Sequence, residues 1–301
     1  MNLRTVDLNL LVVLDALLTD LHVTRAAERI GLSQPAVSNA LGRLRQIFGD
    51  ELLVRTASGM QATPRALELV APTKQILRQI ERVLEGDAAY DPAHSDRTFV
   101  VRLSDLLGLL LLPTLTKRIE KVSPNVRLDT LHLSPNRTIE ALEKDEIDVA
   151  VSMGLQHSSS IRSRILFSDR MVCVMRRGHS LAKNELTLGR FLKQRHLTVS
   201  MSPTDLRFVD DILAREELKR DVALNVSHWL LVPHVLMQTN LVAVMSDRLA
   251  SAIGKNALVT RSLPFASDAY NWEMYWHRRH DGNPAISWLR EKITEAAISL
   301  T

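Results

Sequence analysis

The spacing of hydrophobic positions in the first 50 residues is helical. Apolar residues crowd the segment 8–18, and a shorter segment containing two alanines covers 23–30. A third run begins near residue 33, and its apolar positions recur every three or four residues at Val37, Leu41, Leu44 and Phe48. Positions with this spacing share one face of a helix. The pattern therefore predicts three consecutive helices around a small core.

The junction between the second and third predicted helices has the residues of a tight turn. Gly31 stands where a helix end needs a left-handed backbone, which glycine adopts without a Cβ clash. Ser33 is a favoured N-cap, and Pro35 falls in the first turn, where its missing N–H costs nothing. We expect Leu32 to pack from the turn into the core. The segment 23–48 thus predicts a helix, a turn and a second helix.

Two further elements follow. The segments 51–55 and 61–62, joined through 58–59, predict a two-stranded wing. A long helix is expected over 63–85, and Pro72 should bend it or remove one of its hydrogen bonds. Its apolar positions form a short seam of the kind that pairs helices, at Val70, Thr73, Leu77, Ile80 and Leu84. A seam of this length also fits ordinary packing within one chain.

From residue 97 the period of the hydrophobic pattern changes. Short, mostly apolar runs recur at 98–103, 126–131, 149–153, 171–175, 197–201, 222–226 and 241–244. Helical stretches separate many of them, at 106–122, 138–144, 206–213 and 230–238. This alternation predicts parallel sheets covered on both faces by helices. A late strand at 270–276 and a terminal helix at 284–298 complete the pattern.

The composition of the chain favours a globular protein without disulfides or membrane spans. With 46% hydrophobic and 24% charged residues, the chain is globular rather than disordered. The single cysteine, Cys173, excludes an internal disulfide and a cysteine-based zinc site, and its apolar neighbours predict burial in a reducing compartment. The apolar runs 8–14 and 106–112 are too short for a secretory signal or a membrane span. We therefore expect a cytoplasmic protein that makes no use of a membrane.

Enzyme motifs are missing from the sequence. It has no phosphate-binding glycine loop, no Gly-x-Ser-x-Gly elbow and no His-Glu-x-x-His zinc helix, so we expect no catalytic residues. His277, His280 and Asp281 stand beside two arginines that disfavour a cation, and we interpret this stretch as a solvated turn. Asp145 and its acidic neighbours are interpreted as a charged helix end. Neither a metal nor a cofactor is expected.

The solvent side of the third predicted helix has side chains suited to reading DNA. When the apolar positions face inward, the outward positions are Gln34, Ser38, Asn39 and Arg43. Glutamine and asparagine can each pair with adenine through two hydrogen bonds, serine can bond a base or a phosphate, and arginine can reach phosphate or guanine. Between residues 21 and 65, six arginines outnumber three acidic residues, so the local charge is positive. The alternative is a small helical bundle with a polar outer face and no nucleic-acid partner.

A dense motif covers the same segment. It is Ala26-Ala27-Glu-Arg-Ile30-Gly-Leu-Ser33-Gln34-Pro35-Ala36-Val37-Ser38, continued by Leu41, Leu44, Phe48, Gly49, Leu52-Leu53 and Arg55. This motif resembles the signature of the LysR-type transcriptional regulators. The pair Leu44-Arg45 stands where many members carry Leu-Glu, a variant that resembles the branch of the nodulation and salicylate-type regulators. The variant concerns the detailed phosphate contacts rather than the DNA-binding role.

The resemblance and the element pattern together predict a multi-domain chain. It would combine an all-α winged helix-turn-helix domain with an α/β periplasmic-binding-protein-like domain of two Rossmann-like subdomains. The expected divisions are 1–62 for DNA binding, 63–85 for a linker and dimerisation helix, 86–96 for an interdomain loop and 97–301 for effector binding. Within the last domain, subdomain I takes about 97–162 and 268–301, and subdomain II about 170–267, with crossing strands near 162–170 and 268–276.

For the N-terminal domain, the resemblance implies double-stranded DNA with two-fold-related half-sites as the partner. The residues expected to contact DNA are Thr24, Arg25, Ser33, Gln34, Pro35, Ser38, Asn39, Arg43, Arg55 and Ser58. The alternative for Arg55 is a structural salt bridge. Because the helix equivalent to 63–85 pairs subunits in this family, we expect a dimer. A tetramer, contact with RNA polymerase and a nucleoid-associated location are further expectations.

For the C-terminal domain, the resemblance implies a small-molecule effector in the cleft at the carboxyl ends of the strands. The side chains expected to contact it are Ser104, Ser134, Ser202, Thr204, His228 and Arg248. Hydroxyls at helix N-termini suit an anion, since free N–H groups and the helix dipole favour negative charge, and an arginine can clamp a carboxylate. The alternatives are N-caps without a ligand for the hydroxyls, a surface salt bridge for Arg248, and a packed aromatic pair for His228. The branch that the motif resembles suggests a small aromatic or organic anion.

Two other classes of protein stay open on the sequence alone. One is a solute-binding protein or an enzyme whose N-terminal helices serve only assembly and bind no DNA. The other is an architectural protein, which would bind any duplex with the same salt-dependent affinity. A regulator should instead discriminate among DNA sequences, and its effector must bind two domain arrangements with different affinity.

Overall fold

A computed structural model of the chain describes residues 6–57, 59–85, 90–200, 208–253 and 257–300. They belong to two compact units, one within residues 1–88 and the other within 89–301. Each unit has its own hydrophobic core. Three of the predicted contact residues, Ser58, Ser202 and Thr204, lie outside the described residues.

The described part of the N-terminal unit is mainly helical. Its elements are α1 (Asn9–Asp20), α2 (Val23–Arg29), α3 (Gln34–Phe48), β1 (Leu53–Thr56), β2 (Gly59–Ala62) and α4 (Pro64–Glu85). The inward face of α3 packs with α1 and α2 in one core, which confirms the predicted buried positions Val37, Leu41 and Leu44. β1 and β2 pair in antiparallel register, as the predicted wing requires. The helix α4 continues through Pro72 as a single element.

The C-terminal unit contains two five-stranded sheets. The first has the order β4-β3-β5-β12-β6, from β3 (Thr98–Arg102), β4 (Arg127–Leu131), β5 (Val149–Met153), β6 (Ile161–Asp169) and β12 (Tyr270–His277). The second has the order β11-β7-β10-β8-β9, from β7 (Met171–Arg176), β8 (Arg195–Val199), β9 (Asp221–Val226), β10 (Val242–Ser246) and β11 (Leu258–Ser262). Each sheet is the centre of one subdomain.

Helices connect these strands. They are α5 (Asp105–Val122), α6 (Pro135–Glu143), α7 (Leu188–Leu192), α8 (Phe208–Arg215), α9 (Val232–Gln238), α10 (Asp247–Ile253) and α11 (Pro284–Ile298). Short 3-10 helices occur at Ser180–Lys183, Trp229–Leu231 and Arg278–His280. The apolar faces of α5 and α11 pack on the first sheet, with Phe99, Leu107 and Leu289 fully buried. The predicted two-domain α and α/β architecture is confirmed.

The prediction of parallel sheets is wrong in part, because both sheets are mixed. β3 pairs in parallel with β4 and β5, and β8 pairs in parallel with β9 and β10. β12 runs antiparallel to β5 and β6, and β7 runs antiparallel to β10 and β11. The reason lies in the chain path. β6 leads out of the first subdomain and β12 leads back into it, so these two neighbours must run in opposite directions.

The single cysteine lies in the core of the C-terminal unit. Cys173 on β7 is fully buried, and burial raises the pKa of its thiol to about 12. A thiol that keeps its proton at neutral pH is a poor nucleophile, so Cys173 acts as a small core residue. Within the described ranges, no helix has the length and apolar character needed to cross a bilayer.

Candidate nucleic-acid interface and ligand cavity

The turn between α2 and α3 has the predicted cap and glycine. Gly31 adopts a φ of 68°, and the Ser33 hydroxyl accepts a hydrogen bond of 3.4 Å from the backbone N–H of Ala36. Pro35 occupies the first turn of α3. Leu32 is 46% exposed, so the expectation that it packs into the core is wrong. The core of this unit includes Ala26, Ala27 and Val37 on either side of the turn and does not include Leu32.

The N-terminal half of α3 has one buried face and one exposed face. Val37 and Leu41 are buried, whereas Gln34, Ser38 and Asn39 are exposed. Within the described ranges, no residue forms a hydrogen bond with these three exposed side chains. Their donors and acceptors are available to another molecule. An exposed polar helix face of this kind has the dimensions and the hydrogen-bonding groups to enter the major groove of DNA.

The residues predicted to contact phosphate differ in the partners that they have within the chain. Arg43 forms an exposed salt bridge of 3.3 Å with Asp7, and Arg25 donates to the backbone oxygen of Asp20 at 2.7 Å. An exposed ion pair contributes only about 0–1 kcal/mol, so Arg43 can exchange its partner for a phosphate at small cost. Arg55 on β1 is exposed and pairs with no described residue, so the structural salt bridge considered for it is not formed there. Thr24 is also exposed.

Arg45 connects the end of α3 to the wing. Its guanidinium donates to the backbone oxygens of Glu51 and Leu53, each at 2.9 Å, and pairs with the Glu51 carboxylate at 3.1 Å. These bonds hold the Arg45 guanidinium against the residues that lead into the wing. The arginine of the Leu44-Arg45 variant therefore holds the wing against the end of α3.

The predicted pairing residues lie along α4. Thr73 is buried, Val70, Leu77 and Ile80 are half-buried, and Leu84 is 79% exposed. Other apolar side chains on this helix are also exposed, namely Leu67, Ile76 and Val83. Apolar side chains gathered on one exposed helix provide surface for packing against another chain.

A cavity of about 570 Å³ opens at the carboxyl ends of strands from both sheets. Its volume is in the range of small-molecule sites, and its position between two subdomains is where α/β folds bind ligands. The described polar residues that line it include Arg102, Ser104, Ser134, Ser152, Thr198, Ser200, Arg220, Asn225, Ser227 and Ser246. Its apolar and aromatic lining includes Met153, Met171, Val199, Trp229, Tyr270 and Trp272.

Ser104 and Ser134, two of the predicted effector contacts, line this cavity at the starts of α5 and α6. The Ser104 hydroxyl accepts a hydrogen bond of 3.3 Å from the backbone N–H of Leu107. Ser134 forms no such side-chain cap. The first turns of both helices therefore face the cavity, where their N–H groups and dipoles favour negative charge.

Two arginines line the cavity from opposite subdomains. Arg102 is 5% exposed and donates to the backbone oxygens of Leu133 and Val151 at 2.6–3.1 Å. This places a positive charge on the wall that carries Ser134. Arg220 forms a two-pronged pair with the Asp210 carboxylate at 2.7 and 2.9 Å, which neutralises its charge. Among the described charged residues of the lining, those of subdomain I accordingly carry the more positive charge.

One end of the cavity, called the hinge end here, lies where β6 and β12 connect the two subdomains. Asp169, the last residue of β6, is at its centre. Its carboxylate accepts hydrogen bonds from the Ser246 hydroxyl, the Trp272 indole N–H and the backbone N–H of Arg170. Tyr270 lies beside this carboxylate and lines the cavity. The Tyr270 oxygen is buried, and no described residue forms a hydrogen bond of normal geometry with it. Burial and the negative charge of Asp169 raise the pKa of Tyr270, so its hydroxyl keeps its proton.

Arg248 and His228 are not among the residues that line this cavity. Arg248 on α10 donates to the backbone oxygens of Ser168 and Leu300, and its guanidinium lies over the Phe167 ring, 5.2 Å from the centroid. It therefore clamps carbonyl groups of its own chain where a ligand carboxylate was expected. His228 is exposed, and its neighbours Ser227 and Trp229 line the cavity instead.

Sequence reasoning does not single out several residues that the cavity contains. Arg102 and Ser152 are polar interruptions of apolar strands, and this signal was available because a buried polar group needs a partner. Tyr270 and Trp272 gave no such signal, since an aromatic residue in a strand is more often part of a core. Their role depends on which strand ends the fold brings together.

A buried charged cluster corrects two further interpretations. His280 and Asp145 are 4% and 5% exposed, and the His280 Nε2–H donates to Asp145 Oδ1 at 2.9 Å. Arg279 donates to the other oxygen of Asp145 at 3.0 Å. The interpretation as a solvated turn holds for Arg278, Arg279 and Asp281, which are exposed, but is wrong for His280. Asp145 follows a helix end as expected, and it is also a buried acceptor for His280 and Arg279. In the described part of the chain, no three histidine, cysteine or acidic side chains are grouped to hold a metal ion.

Comparisons with known proteins agree with this geometry. Residues 8–67 match the family described as "Bacterial regulatory helix-turn-helix protein, lysR family", and residues 93–298 match the "LysR substrate binding domain". The HTH-type transcriptional activator NahR of Pseudomonas putida is 34% identical over 97% of both chains. Nodulation protein D 1 of Bradyrhizobium sp. (strain NC92) is 33% identical, over 100% of this chain and 96% of that protein.

A solved structure extends the similarity to three dimensions. The crystal structure of the probable transcriptional regulator PA0477 from Pseudomonas aeruginosa superposes with a TM-score of 0.81, at 34% identity and over 97% of each chain. NahR is named as a transcriptional activator and PA0477 as a probable transcriptional regulator, and neither is named as an enzyme. The chain therefore belongs to the LysR family of DNA-binding transcriptional regulators, with an N-terminal helix-turn-helix domain and a C-terminal effector-binding domain.

Proposed function

We propose that this regulator reads specific bases through Gln34, Ser38 and Asn39. The observation that carries the proposal is that these side chains are exposed on one face of α3 and have no hydrogen-bond partner in the described ranges. A two-bond contact between an amide side chain and adenine contributes about 1–3 kcal/mol of discrimination. Ser33 and Pro35 lie exposed at the start of α3, where a recognition helix enters the groove.

The contacts that position the protein on DNA are assigned to the phosphate backbone. Thr24, Arg25, Arg43 and Arg55 are exposed on the N-terminal unit and can donate to phosphate oxygens. Arg55 would reach the backbone or the minor groove from the wing, together with Ser58. Such contacts raise affinity for every sequence equally, so specificity is left to the base-reading face of α3.

A pair of subunits would present two copies of α3 to half-sites related by two-fold symmetry. The exposed apolar side chains of α4 support pairing through this helix. Val70, Leu77, Ile80 and Leu84 would lie at the seam, whereas the predicted seam residue Thr73 is buried within its own subunit. We also propose that the pairs assemble into a tetramer and that the protein contacts RNA polymerase. Its proposed location is the cytoplasm, in association with the nucleoid.

The DNA-reading proposal is tested with Gln34→Ala in the full chain. A footprint on the promoter region beside the gene supplies a bound fragment, and fluorescence anisotropy then compares it with a shuffled fragment of equal composition. We expect the substitution to weaken binding to the footprinted fragment about 10- to 100-fold and to leave the shuffled fragment almost unaffected. Gln46→Ala makes the same change on an exposed position at the far end of α3 and should have no effect.

Two results would count against base reading by α3. One is a Gln34→Ala variant that keeps the preference of the wild type for the footprinted fragment. The other is a wild-type protein that binds both fragments equally, which would instead indicate an architectural DNA-binding protein.

We further propose that the cavity binds a small organic anion. Its charged group would lie at Ser104 and Ser134, where two helix N-termini and the positive charge of Arg102 meet. Its apolar part would pack against the methionine and tryptophan side chains of the lining. An anion bound between two subdomains alters their arrangement only if its affinity differs between the arrangements.

Thermal unfolding of the full chain with benzoate and with benzamide, its neutral analogue of similar shape, tests this site. We expect benzoate to raise the melting temperature and benzamide to raise it much less. Ser134→Ala should weaken benzoate binding about 3- to 10-fold through loss of one hydrogen bond. Ser163→Ala, on an exposed position of β6, serves as the control and should change nothing. Equal stabilisation by benzoate and benzamide would contradict an anion site.

A further inference from the structure

We propose that one end of subdomain II binds the phosphate backbone of double-stranded DNA, in addition to the contacts proposed for the N-terminal unit. This end, called the basic end here, carries the basic side chains of the segment 176–195, which runs from the end of β7 to the start of β8. They are Arg176, Arg177, Lys183, Arg190, Lys193 and Arg195. The contact is independent of base reading by α3 and of the anion cavity.

The basic end holds a large excess of positive charge. Its six basic residues stand against one acidic residue of the segment, Glu185, so the segment has a net charge of +5, whereas the whole chain has +4. Five of the six basic side chains are exposed, and Arg176 is half-buried. Charge of one sign concentrated on one surface attracts a partner of the opposite charge.

The fold gathers these residues at one edge of the second sheet. Arg176 ends β7 and donates to the backbone oxygen of Thr239, just before β10, at 3.1 Å. Arg195 begins β8 beside Asp221, the first residue of β9, and the connection through α7 carries the other four residues. This edge holds the amino ends of β8, β9 and β10, whereas the cavity lies at their carboxyl ends. The basic end is therefore separate from the anion cavity.

Most of this charge has no acidic partner within the described part of the chain. Arg195 has one, Asp221, at 3.6 Å. Arg176 and Arg190 donate to uncharged acceptors, an asparagine side chain and a backbone oxygen. The other three side chains form no hydrogen bond or ion pair with a described residue, and they are Arg177, Lys183 and Lys193.

The opposite excess of charge in subdomain I is balanced by the chain itself. The segment 140–148 has five acidic residues and one basic residue. Arg137 pairs with Glu140 and with Glu146, and Arg279 pairs with Asp145. The basic end lacks such compensation, so a partner from outside the chain gains more by binding there.

The exposed surface of the basic end favours a phosphate backbone over a protein partner. Leu181, Leu186 and Phe191 are at most 7% exposed, and in this segment, which is described throughout, no apolar side chain is exposed. The core of a protein–protein interface needs apolar or aromatic anchors, and single-stranded nucleic acid needs exposed aromatic rings for stacking. Contacts with the phosphates of a duplex need only positive side chains. A duplex held by the N-terminal unit is also at high local concentration for the rest of the same chain.

The salt dependence of DNA binding by the full chain tests this contact. Fluorescence anisotropy is measured with the footprinted fragment and its shuffled counterpart, each extended by flanking duplex, at several salt concentrations. We expect Lys183→Gln/Lys193→Gln to make the slope of log K against log salt less steep by about 2 with both fragments, since each lost phosphate contact removes about 0.9. Lys117→Gln/Lys121→Gln removes the same charge from exposed positions of α5 and should change the slope by less than about 0.5.

Photocrosslinking locates the contact directly. Cys173 is fully buried, so an azidophenacyl reagent labels an introduced cysteine in its place. We expect the labelled Lys193→Cys protein to crosslink to a duplex, and the labelled Lys117→Cys protein to crosslink much less. Sedimentation velocity without DNA compares the assembly of each variant with that of the wild type, and we expect no difference.

Four results would overturn the assignment. An unchanged slope in Lys183→Gln/Lys193→Gln would exclude duplex DNA and leave an acidic protein surface as the partner. An equal change in the control pair would reduce the effect to overall charge. A changed assembly of Lys183→Gln/Lys193→Gln would make the basic end a contact between copies of the chain, and a Lys193→Cys protein without a crosslink would place the DNA elsewhere. The effect of Gln34→Ala concerns α3 alone, so base reading and the basic end fail or stand separately.

Discussion

Asp145→Ala is expected to lower the free energy of unfolding of the C-terminal unit by about 3–5 kcal/mol. Asp145 follows the C-terminal end of α6 and is 5% exposed. Its two oxygens accept hydrogen bonds from His280 and Arg279, which come from a segment 134 and 135 residues away in the chain. Alanine would leave these two donors without their carboxylate, and the cost of an unpaired buried polar group exceeds that of a lost surface contact.

The backbone adds to the effect of alanine at this position. Asp145 has a φ of 60°, a left-handed conformation that aspartate and asparagine adopt more readily than alanine. Asp145→Asn keeps that tolerance and one carbonyl oxygen while it removes the charge, so we expect a loss of about 2–3 kcal/mol. The loss in Asp145→Asn therefore reports mainly the charge, and the further loss in Asp145→Ala reports the backbone conformation together with the remaining hydrogen bond.

Urea unfolding followed by tryptophan fluorescence measures these losses in the full chain. All four tryptophans, Trp229, Trp272, Trp276 and Trp288, belong to the C-terminal unit, so the signal reports on that unit alone. Lys144→Ala, beside Asp145 but on the surface, should change the stability by less than about 0.5 kcal/mol. If the free energy of unfolding of Asp145→Ala lies within about 1 kcal/mol of the wild-type value, the cluster does not stabilise the unit as we infer. That limit is about twice the effect of an ordinary surface substitution.

The second large effect is a loss of stability in acid caused by His196. This residue on β8 is fully buried, its Nε2–H donates to the backbone oxygen of Phe191 at 3.0 Å, and Nδ1 has no partner in the described part of the chain. Burial lowers the pKa of His196 from 6.5 to about 4, and the nearby charge of Arg220 lowers it further while Asp210 and Asp221 oppose the shift. Protonation would bury a charge and an unpaired N–H together.

The direction of the pH dependence follows from the depressed pKa. Because the unfolded chain binds the proton near pH 6.5 and the folded chain only near pH 4, the stability is fully present above pH 6.5 and is lost as the pH falls toward 4. The loss due to His196 is about 2 kcal/mol at pH 5 and about 3 kcal/mol at pH 4. His196→Gln keeps a donor toward Phe191 and cannot take up the proton.

Urea unfolding of the full chain at pH 7.5 and at pH 5 measures how much stability His196 contributes. We expect the wild type to lose about 2 kcal/mol more than His196→Gln between the two pH values. His234→Gln, at an exposed position of α9, controls for the loss of a histidine and should behave like the wild type. Equal acid sensitivity of wild type and His196→Gln would contradict the assignment.

Local sequence signals were enough for the elements with a strong period or cap. The strand Val149–Met153 and the helix Pro284–Ile298 coincide with the predicted ranges, and the turn at Gly31 and Ser33 has the predicted cap and backbone. Strand direction was beyond such signals, since a run of apolar residues reads the same in parallel and antiparallel pairing. Leu32 was misjudged for a related reason, because the apolar character of one residue does not determine which way its side chain points from a turn.

The lining of the cavity also shows how far local sequence signals can predict contacts. Ser104 and Ser134 come two and three residues after the ends of β3 and β4. They were predicted from that position, and both line the cavity. Arg248 was predicted as a carboxylate clamp, but the fold brings the carbonyls of Ser168 and Leu300 to its guanidinium. The contacts of Asp145 with His280, and of Asp169 with Ser246, join residues far apart in sequence. Pairings of this kind follow from topology, which no local pattern of one sequence encodes.

Selection from a random duplex library with the full-length wild-type protein tests the central claim most directly, because the selection itself identifies the operator sequence. We expect the enriched sequences to share two half-sites related by two-fold symmetry, with centres separated by about one helical turn or a multiple of it. Selection with Gln34→Ala should change or relax the base preference at one position in each half-site, whereas Gln46→Ala should reproduce the wild-type sequence. A library that shows no enrichment with the wild type, or the same enriched sequence with Gln34→Ala, would contradict specific DNA reading by α3.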